Sequence, residues 1–173
     1  MTFPRKKIRL PAASYIGLRR CFLTFCCFER HKCFLQSDFN LYFLEQLRQQ
    51  SAAHQFSAPA YCLMPDHVHL LVGALVVKSN LAPFVKALKQ ITGFEFERRT
   101  GKRLWQRYYY DHVLRPKDDP DSVAWYIWLN PVRAGLCEES KEYPFLGSLT
   151  GLWPPGMRPD SIWVPPKKES AAT

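Results

Sequence analysis

Apolar positions repeat with two different periods along this chain, and the switches between them mark its elements. From Cys21 to Phe28 the residues form a β-type aromatic run. Between Asp38 and Gln50 the apolar positions Phe39, Tyr42, Phe43 and Leu47 share a helical face, which predicts a helix. Ala60 to Leu63 and His67 to Gly73 read as two strands joined by Met64-Pro65-Asp66, with proline at the second position of the turn. Asn80 is placed to cap a helix running to about Arg99, with Leu81, Phe84, Val85, Leu88 and Ile91 on one face. Trp105 to Arg115 reads as a strand, and Asp118 to Asp121 opens a helix from Ser122 that ends near Asn130-Pro131.

The resulting order is β-α-β-β-α-β, followed by one more helix. That is the ferredoxin-like pattern of the α+β class, an antiparallel sheet with helices on one face. After Tyr143 the pattern ends and prolines accumulate (Pro144, Pro154, Pro155, Pro159, Pro165, Pro166) beside Trp153 and Trp163. Such a segment forms neither a helix nor a central strand. The chain therefore divides into one domain over residues 1–147, with a basic N-terminal arm, and an extended tail over residues 148–173.

Composition narrows the class. At 173 residues, 47% apolar and 14% aromatic, the chain has ample material for one packed core and is unlike a disordered polymer. No apolar run approaches the roughly 18 residues of a membrane span, and no hydrophobic signal core follows Arg5, Lys6, Lys7 and Arg9. A cytoplasmic protein with no membrane partner is the expectation. The six cysteines fit reduced, mostly buried thiols, since the spacing of Cys21, Cys26, Cys27 and Cys33 beside His31 is not that of a zinc cluster.

The net charge of +9 points to a polyanionic partner, and its distribution says more. Residues 1–20 hold six basic and no acidic side chains, and residues 86–117 hold nine basic against three acidic. Lys86, Lys89, Arg98, Arg99, Lys102, Arg103 and Arg107 are candidate phosphate contacts if the fold gathers them, and an ordinary solvated surface if it does not.

Two constellations carry chemistry. In Met64-Pro65-Asp66-His67-Val68-His69-Leu70-Leu71-Val72, positions 67 and 69 of a strand share a face, so two imidazoles project together and are able to grip one divalent metal. Taken alone, an H-x-H pair is as readily explained by hydrogen-bonded histidines at a strand edge, yet the buried run that follows makes two polar side chains costly there. In Tyr126-Ile127-Trp128-Leu129-Asn130-Pro131, Tyr126 and Asn130 lie one helical turn apart. A tyrosine hydroxyl is a nucleophile for a phosphodiester and an amide oxygen is a metal ligand. The plainer reading makes Tyr126 a packing residue and Asn130 a helix C-cap.

Together, M-P-D-H-V-H-L-L, L-W-Q-R-Y-Y-Y-D-H-V-L-R at 104–115 and Y-I-W-L-N-P-V-R-A-G-L at 126–136 resemble the single-tyrosine HUH transposases, insertion-sequence type, and within them the REP-associated tyrosine transposases of bacteria. The resemblance spans roughly residues 15–147. It implies a ferredoxin-like nuclease domain carrying a catalytic C-terminal helix. It also implies cleavage and rejoining of single-stranded DNA beside hairpin-forming repeats, with Mg²⁺ or Mn²⁺ and a covalent 5′-phosphotyrosine. By position, His67 and His69 match the metal pair, Tyr126 the nucleophile and Asn130 a third metal ligand. A homodimer is implied likewise. Asp66 stands where relatives also carry Asn, and Pro144-Phe145-Leu146-Gly147-Ser148 departs from the family's usual ending. The rival expectation is a non-catalytic, domesticated protein that binds DNA hairpins without cutting them. Tyr108, Tyr109 and Tyr110 are further stacking or nucleophile candidates, and Asp111 and His112 weaker additions to the metal shell.

Overall fold

The computed structural model describes residues 10–151 and 158–167. The basic N-terminal residues Arg5 to Arg9 and much of the tail, Trp153 included, therefore lie outside the described residues. Five strands, β1 (Arg20–Cys26), β2 (Phe56–Met64), β3 (His67–Ala74), β4 (Tyr110–Val113) and β5 (Leu146–Gly147), form one antiparallel sheet in the order β4-β1-β3-β2-β5. The first four strands stand in ferredoxin-like order, as the periodicity predicts.

Helices α1 (Ser37–His54) and α2 (Leu81–Thr100) cover one face of this sheet. In α1, Phe39, Phe43 and Leu47 are fully buried at four-residue spacing, which is the helical repeat of a core-facing stripe. In α2 the buried stripe is Leu81, Phe84, Val85, Leu88, Thr92 and Phe96. Ile91, an expected core position, is only half-buried. Thr92 takes the interior instead because its hydroxyl donates to the Leu88 carbonyl (2.7 Å) and accepts from the Trp105 indole N–H (3.0 Å). Asn80 caps α2 as expected, accepting from the Ala82 N–H at 3.2 Å.

The opposite face is covered by α3 (Pro120–Trp128), whose N-cap Asp119 accepts from the Asp121 and Ser122 N–H groups. Strand alternation separates the two layers. On β1, Cys21, Leu23 and Phe25 join the α1/α2 core, while Phe22 joins the α3 core with Leu71, Val123, Ile127 and Trp128.

Three expectations are corrected. The strand expected over Trp105 to Arg115 is regular only at Tyr110–Val113, because Trp105 turns its ring into the α2 side and only its backbone bridges to Cys27. The last helix breaks at Leu129, and α4 (Asn130–Arg133) continues after it, since Pro131 is tolerated only in a first turn. Leu146–Gly147 adds a fifth strand beside β2, where Gly147 is required because a Cβ would lie 2.9 Å from the Tyr61 hydroxyl. The described part of the tail lies on the α3 side. Its Trp163 indole N–H donates to Asp118 (3.2 Å), and the Ser122 hydroxyl donates to the Ser161 carbonyl (2.9 Å).

Candidate active site

His67 and His69 stand on β3 on the face that α3 covers, and their Nε2 atoms are 3.1 Å apart. Each ring is held by its other nitrogen. Asp66 Oδ1 lies 2.6 Å from His67 Nδ1, and since a carboxylate only accepts, it fixes the Nδ1–H tautomer and leaves the Nε2 lone pair facing His69. Asp66 is itself pinned by Arg30, whose Nε is 3.0 Å from Oδ2. Arg30 reaches back because Glu29 and Arg30 both take left-handed backbone angles (φ 51° and 59°) in the turn after β1. Thr24, directly across from His69 in the β1/β3 register, places its hydroxyl 2.9 Å from His69 Nδ1. Phe22 stacks on the same imidazole at 5.5 Å.

Burial pushes both histidine pKa values down. For His69 the fall is large, and the neighbouring His67, Arg30 and Arg133 charges add to it. For His67, Asp66 partly offsets the effect of burial. Both rings are thereby kept neutral, the state in which an imidazole binds metal.

Tyr126 sits on α3 with its ring 6.1 Å from His69 and edge-on to Phe22 at 5.7 Å. Burial raises its phenol pKa, and Arg133 opposes that rise with its guanidinium 4.6 Å over the ring. Asn130 donates from Nδ2 to the Tyr126 carbonyl (2.8 Å), and its side chain is near enough to His69 to oppose slightly the fall of that imidazole's pKa. With Nδ2 used by backbone carbonyls, the amide oxygen is the atom of Asn130 available as a metal ligand. Packing of α3 on the sheet thus brings all four expected residues, His67, His69, Tyr126 and Asn130, to one place.

The donor set fits a divalent ion. Two cis ligands of an octahedral ion with bonds of about 2.1 Å stand roughly 3 Å apart, close to the observed Nε2 separation. His67, His69 and Asn130 would hold the ion, with Asp66 and Thr24 orienting the rings from behind.

The other candidates are placed differently. Asp111 accepts from the Tyr15 hydroxyl, and His112 pairs with Asp118 at 2.8 Å, so each is engaged by a residue outside the histidine pair. Tyr110 donates to the Pro166 carbonyl. Of the seven basic candidates, Lys86, Lys89, Arg98 and Arg99 belong to α2, on the far side of the sheet from Tyr126. Arg98 and Arg99 form ion pairs with Glu95 (2.8 and 2.6 Å), and Arg99 also with Asp38 (3.0 Å). Lys102, Arg103 and Arg107 lie in the exposed loop that follows α2. The sheet thus separates the four cations of α2 from Tyr126. Thr24, Phe22, Arg30, Arg133 and Trp163, whose ring meets Tyr126 at 5.6 Å, were not singled out by sequence. Only register and packing bring them in, although Arg133 lies inside a motif that was.

A paired-histidine strand under a tyrosine-bearing helix, on a ferredoxin-like sheet, defines a class of DNA-processing fold, and the family comparison agrees. The model of the IS200-like transposase family matches residues 20–128, and the chain belongs to that family. Within it, the similarity runs to the REP-associated tyrosine transposases. A Haemophilus influenzae protein named for that group is 29% identical over 135 residues, covering 72% of this chain and 76% of its own. The Escherichia coli REP-associated tyrosine transposase is 24% identical over 91 residues, covering 52% and 53%. A solved structure of a REP-associated tyrosine transposase bound to a REP hairpin superposes with a TM-score of 0.65 at 21% identity, covering 84% of this chain and 82% of that one.

Proposed function

We propose that the protein is a metal-dependent nuclease and strand transferase for single-stranded DNA at hairpin-forming repeats, using Tyr126 as nucleophile. The observation that carries this reading is the meeting of the Nε2–Nε2 pair of His67 and His69 with the Tyr126 ring under one helix. That arrangement needs a phosphorus positioned between the phenol and the histidines. A scaffold that only bound hairpins would have no use for two buried neutral imidazoles beside a phenol. The hairpin partner is taken over from the structural neighbour, which holds one.

In this reading, bound Mg²⁺ or Mn²⁺ supplies a Lewis acid for the scissile phosphate. The chain's own residues do the rest. Tyr126 gives up its phenolic proton as its oxygen forms a P–O bond to the 5′-side phosphate, the P–O3′ bond breaks, and the leaving 3′-oxygen takes up a proton as the 3′-OH, so that none is consumed overall. Arg133 stands over the Tyr126 ring and favours the phenolate that attacks. The phosphotyrosine retains the phosphodiester's free energy, so a second 3′-OH reverses the step and joins a new strand without ATP.

The test is incubation of the full chain with a hairpin-bearing single strand and Mn²⁺, followed by denaturing electrophoresis. A covalent adduct that maps to Tyr126 is the expected result. Hairpin binding with no adduct at any tyrosine would leave the protein a binder and overturn the nuclease reading.

A further inference from the structure

Asn130 is followed by a proline, and the junction between α3 and α4 shows what that proline does. In an uninterrupted helix the N–H of residue 131 would donate to the carbonyl of residue 127. Proline has no N–H, and its ring crowds that same carbonyl. Ile127 is fully buried, so its carbonyl needs another donor. Asn130 supplies one: its Nδ2 lies 3.3 Å from the Ile127 carbonyl oxygen and 2.8 Å from that of Tyr126. The next carbonyl, that of Trp128, accepts from the Ser140 hydroxyl (2.7 Å). Side chains thus serve three consecutive carbonyls at the break, and one of these belongs to the nucleophile.

An asparagine amide has two unlike ends. A freely turning amide would offer its nitrogen, which binds no metal, as readily as its oxygen. With Nδ2 held on the helix backbone the turning stops, and the oxygen is the end left as a ligand. The bond to the Tyr126 carbonyl has a second effect, because it ties the backbone of the nucleophile to the ligand side chain.

We propose that Pro131 is a positioning residue for the metal site: by withholding a backbone N–H from the Ile127 carbonyl, it commits the Asn130 amide nitrogen to the helix and leaves the amide oxygen as the ligand. The inference rests on the reading of Asn130 as a third metal ligand and adds how the chain orients it. The plain alternative is that Asn130 mends a helix break and holds no metal.

The first measurement is made on the full chain without metal. Pro131→Ala and Pro131→Val both restore an N–H for the Ile127 carbonyl, the second with bulk nearer to that of proline, since Pro131 is buried. In ¹⁵N NMR spectra the Asn130 amide is the pair of side-chain signals that Asn130→Ala removes. Its exchange with water should be about 10-fold faster in both Pro131 variants, as expected for a lost hydrogen bond that had protected it. In calorimetric titration Mn²⁺ affinity should fall about 10-fold, the lower end for loss of a group that orients a ligand, and no further than in Asn130→Ala. The double variant Asn130→Ala/Pro131→Ala should bind Mn²⁺ as Asn130→Ala alone does, because the proline acts only through that amide. Ser140→Ala loosens the same junction at the Trp128 carbonyl and should change neither readout.

Unchanged amide exchange in both Pro131 variants would overturn the inference, with the metal reading intact if Asn130→Ala still weakens Mn²⁺ binding. A further loss in the double variant, or an equal loss in Ser140→Ala, would overturn it too, by assigning the effect to packing of the junction. If Asn130→Ala and the Pro131 variants lower only the melting temperature, Asn130 mends the break alone. The ligand and positioning roles then fall together, while a Tyr126 adduct would still uphold the nuclease reading.

Discussion

At the scale of single residues the site is built by second partners as much as by ligands. Tyr126→Phe keeps the edge-on contacts with Phe22 and Trp163 and removes only the oxygen, so hairpin binding and melting temperature should be unchanged while the adduct disappears. Residual adduct in that variant would move the nucleophile to another tyrosine, Tyr108, Tyr109 or Tyr110 being the first to map. The metal pair makes a graded prediction. His67→Ala or His69→Ala should abolish Mn²⁺ binding in calorimetric titration, and Asn130→Ala should weaken it less, because water replaces a neutral amide. Asp66→Ala removes the acceptor that fixes the His67 tautomer, and an affinity loss of about 10- to 100-fold is expected. Asp66→Asn keeps an acceptor there and should lose only a few-fold. Equal losses for the two Asp66 variants would mean that the Arg30 ion pair, and not the tautomer, is what matters.

At the scale of elements, the nucleophile's position depends on how α3 begins. Asp119 caps its first turn with two backbone hydrogen bonds, and Pro120 follows at the position where proline costs nothing. Asp119→Ala should cost about 1 kcal/mol in thermal melts, and the adduct should form more slowly because Tyr126 lies only two turns further on. Asn80→Ala at the start of α2 should cost a similar amount of stability with no effect on the adduct, since α2 packs on the other face of the sheet. Equal effects of both caps on the adduct would show that global stability alone is being measured. The elements were largely legible in the sequence. The helix periods, the Asn80 cap and the turn at Pro65-Asp66 are local signals, and each was found where it was read. Trp105 misled because an aromatic run beside a strand has strand composition whether its rings pair across a sheet or, as here, one turns to bond Thr92. The two-residue β5 is too short for any periodicity and exists only because β2 offers an open edge.

At the scale of the molecule, the two sides of the sheet do different work. On the α3 side Phe22 ties the sheet to the site: fully buried, it touches His69, Tyr110, Tyr126 and Trp163 from β1. Phe22→Ala should cost about 3–5 kcal/mol in denaturant unfolding, and because the cavity opens beside both His69 and Tyr126 it should also depress cleavage at temperatures where the variant is still folded. Charge divides along the same lines. Arg98 and Arg99 are engaged by Glu95 and Asp38, so replacing both by Ala should change the salt dependence of DNA binding less than replacing Arg103 and Arg107 does. A larger effect from the Arg98/Arg99 pair would place the nucleic acid on α2 itself.

The sequence by itself determined the order of elements, the paired projection of His67 and His69, and the one-turn spacing of Tyr126 and Asn130. Each of these follows from a period of two or 3.6 residues and needs no distant partner. Tertiary structure decided which face of the sheet α3 covers, and with it that residues nearly sixty positions apart share one site. It also chose Thr24, Phe22 and Arg30 as supports for the imidazoles, and set Arg98 and Arg99 in ion pairs while giving Arg103 and Arg107 none among the described residues. Those outcomes depend on strand register and on which long-range contacts bury the most apolar surface, and a one-dimensional pattern of residue types leaves both open.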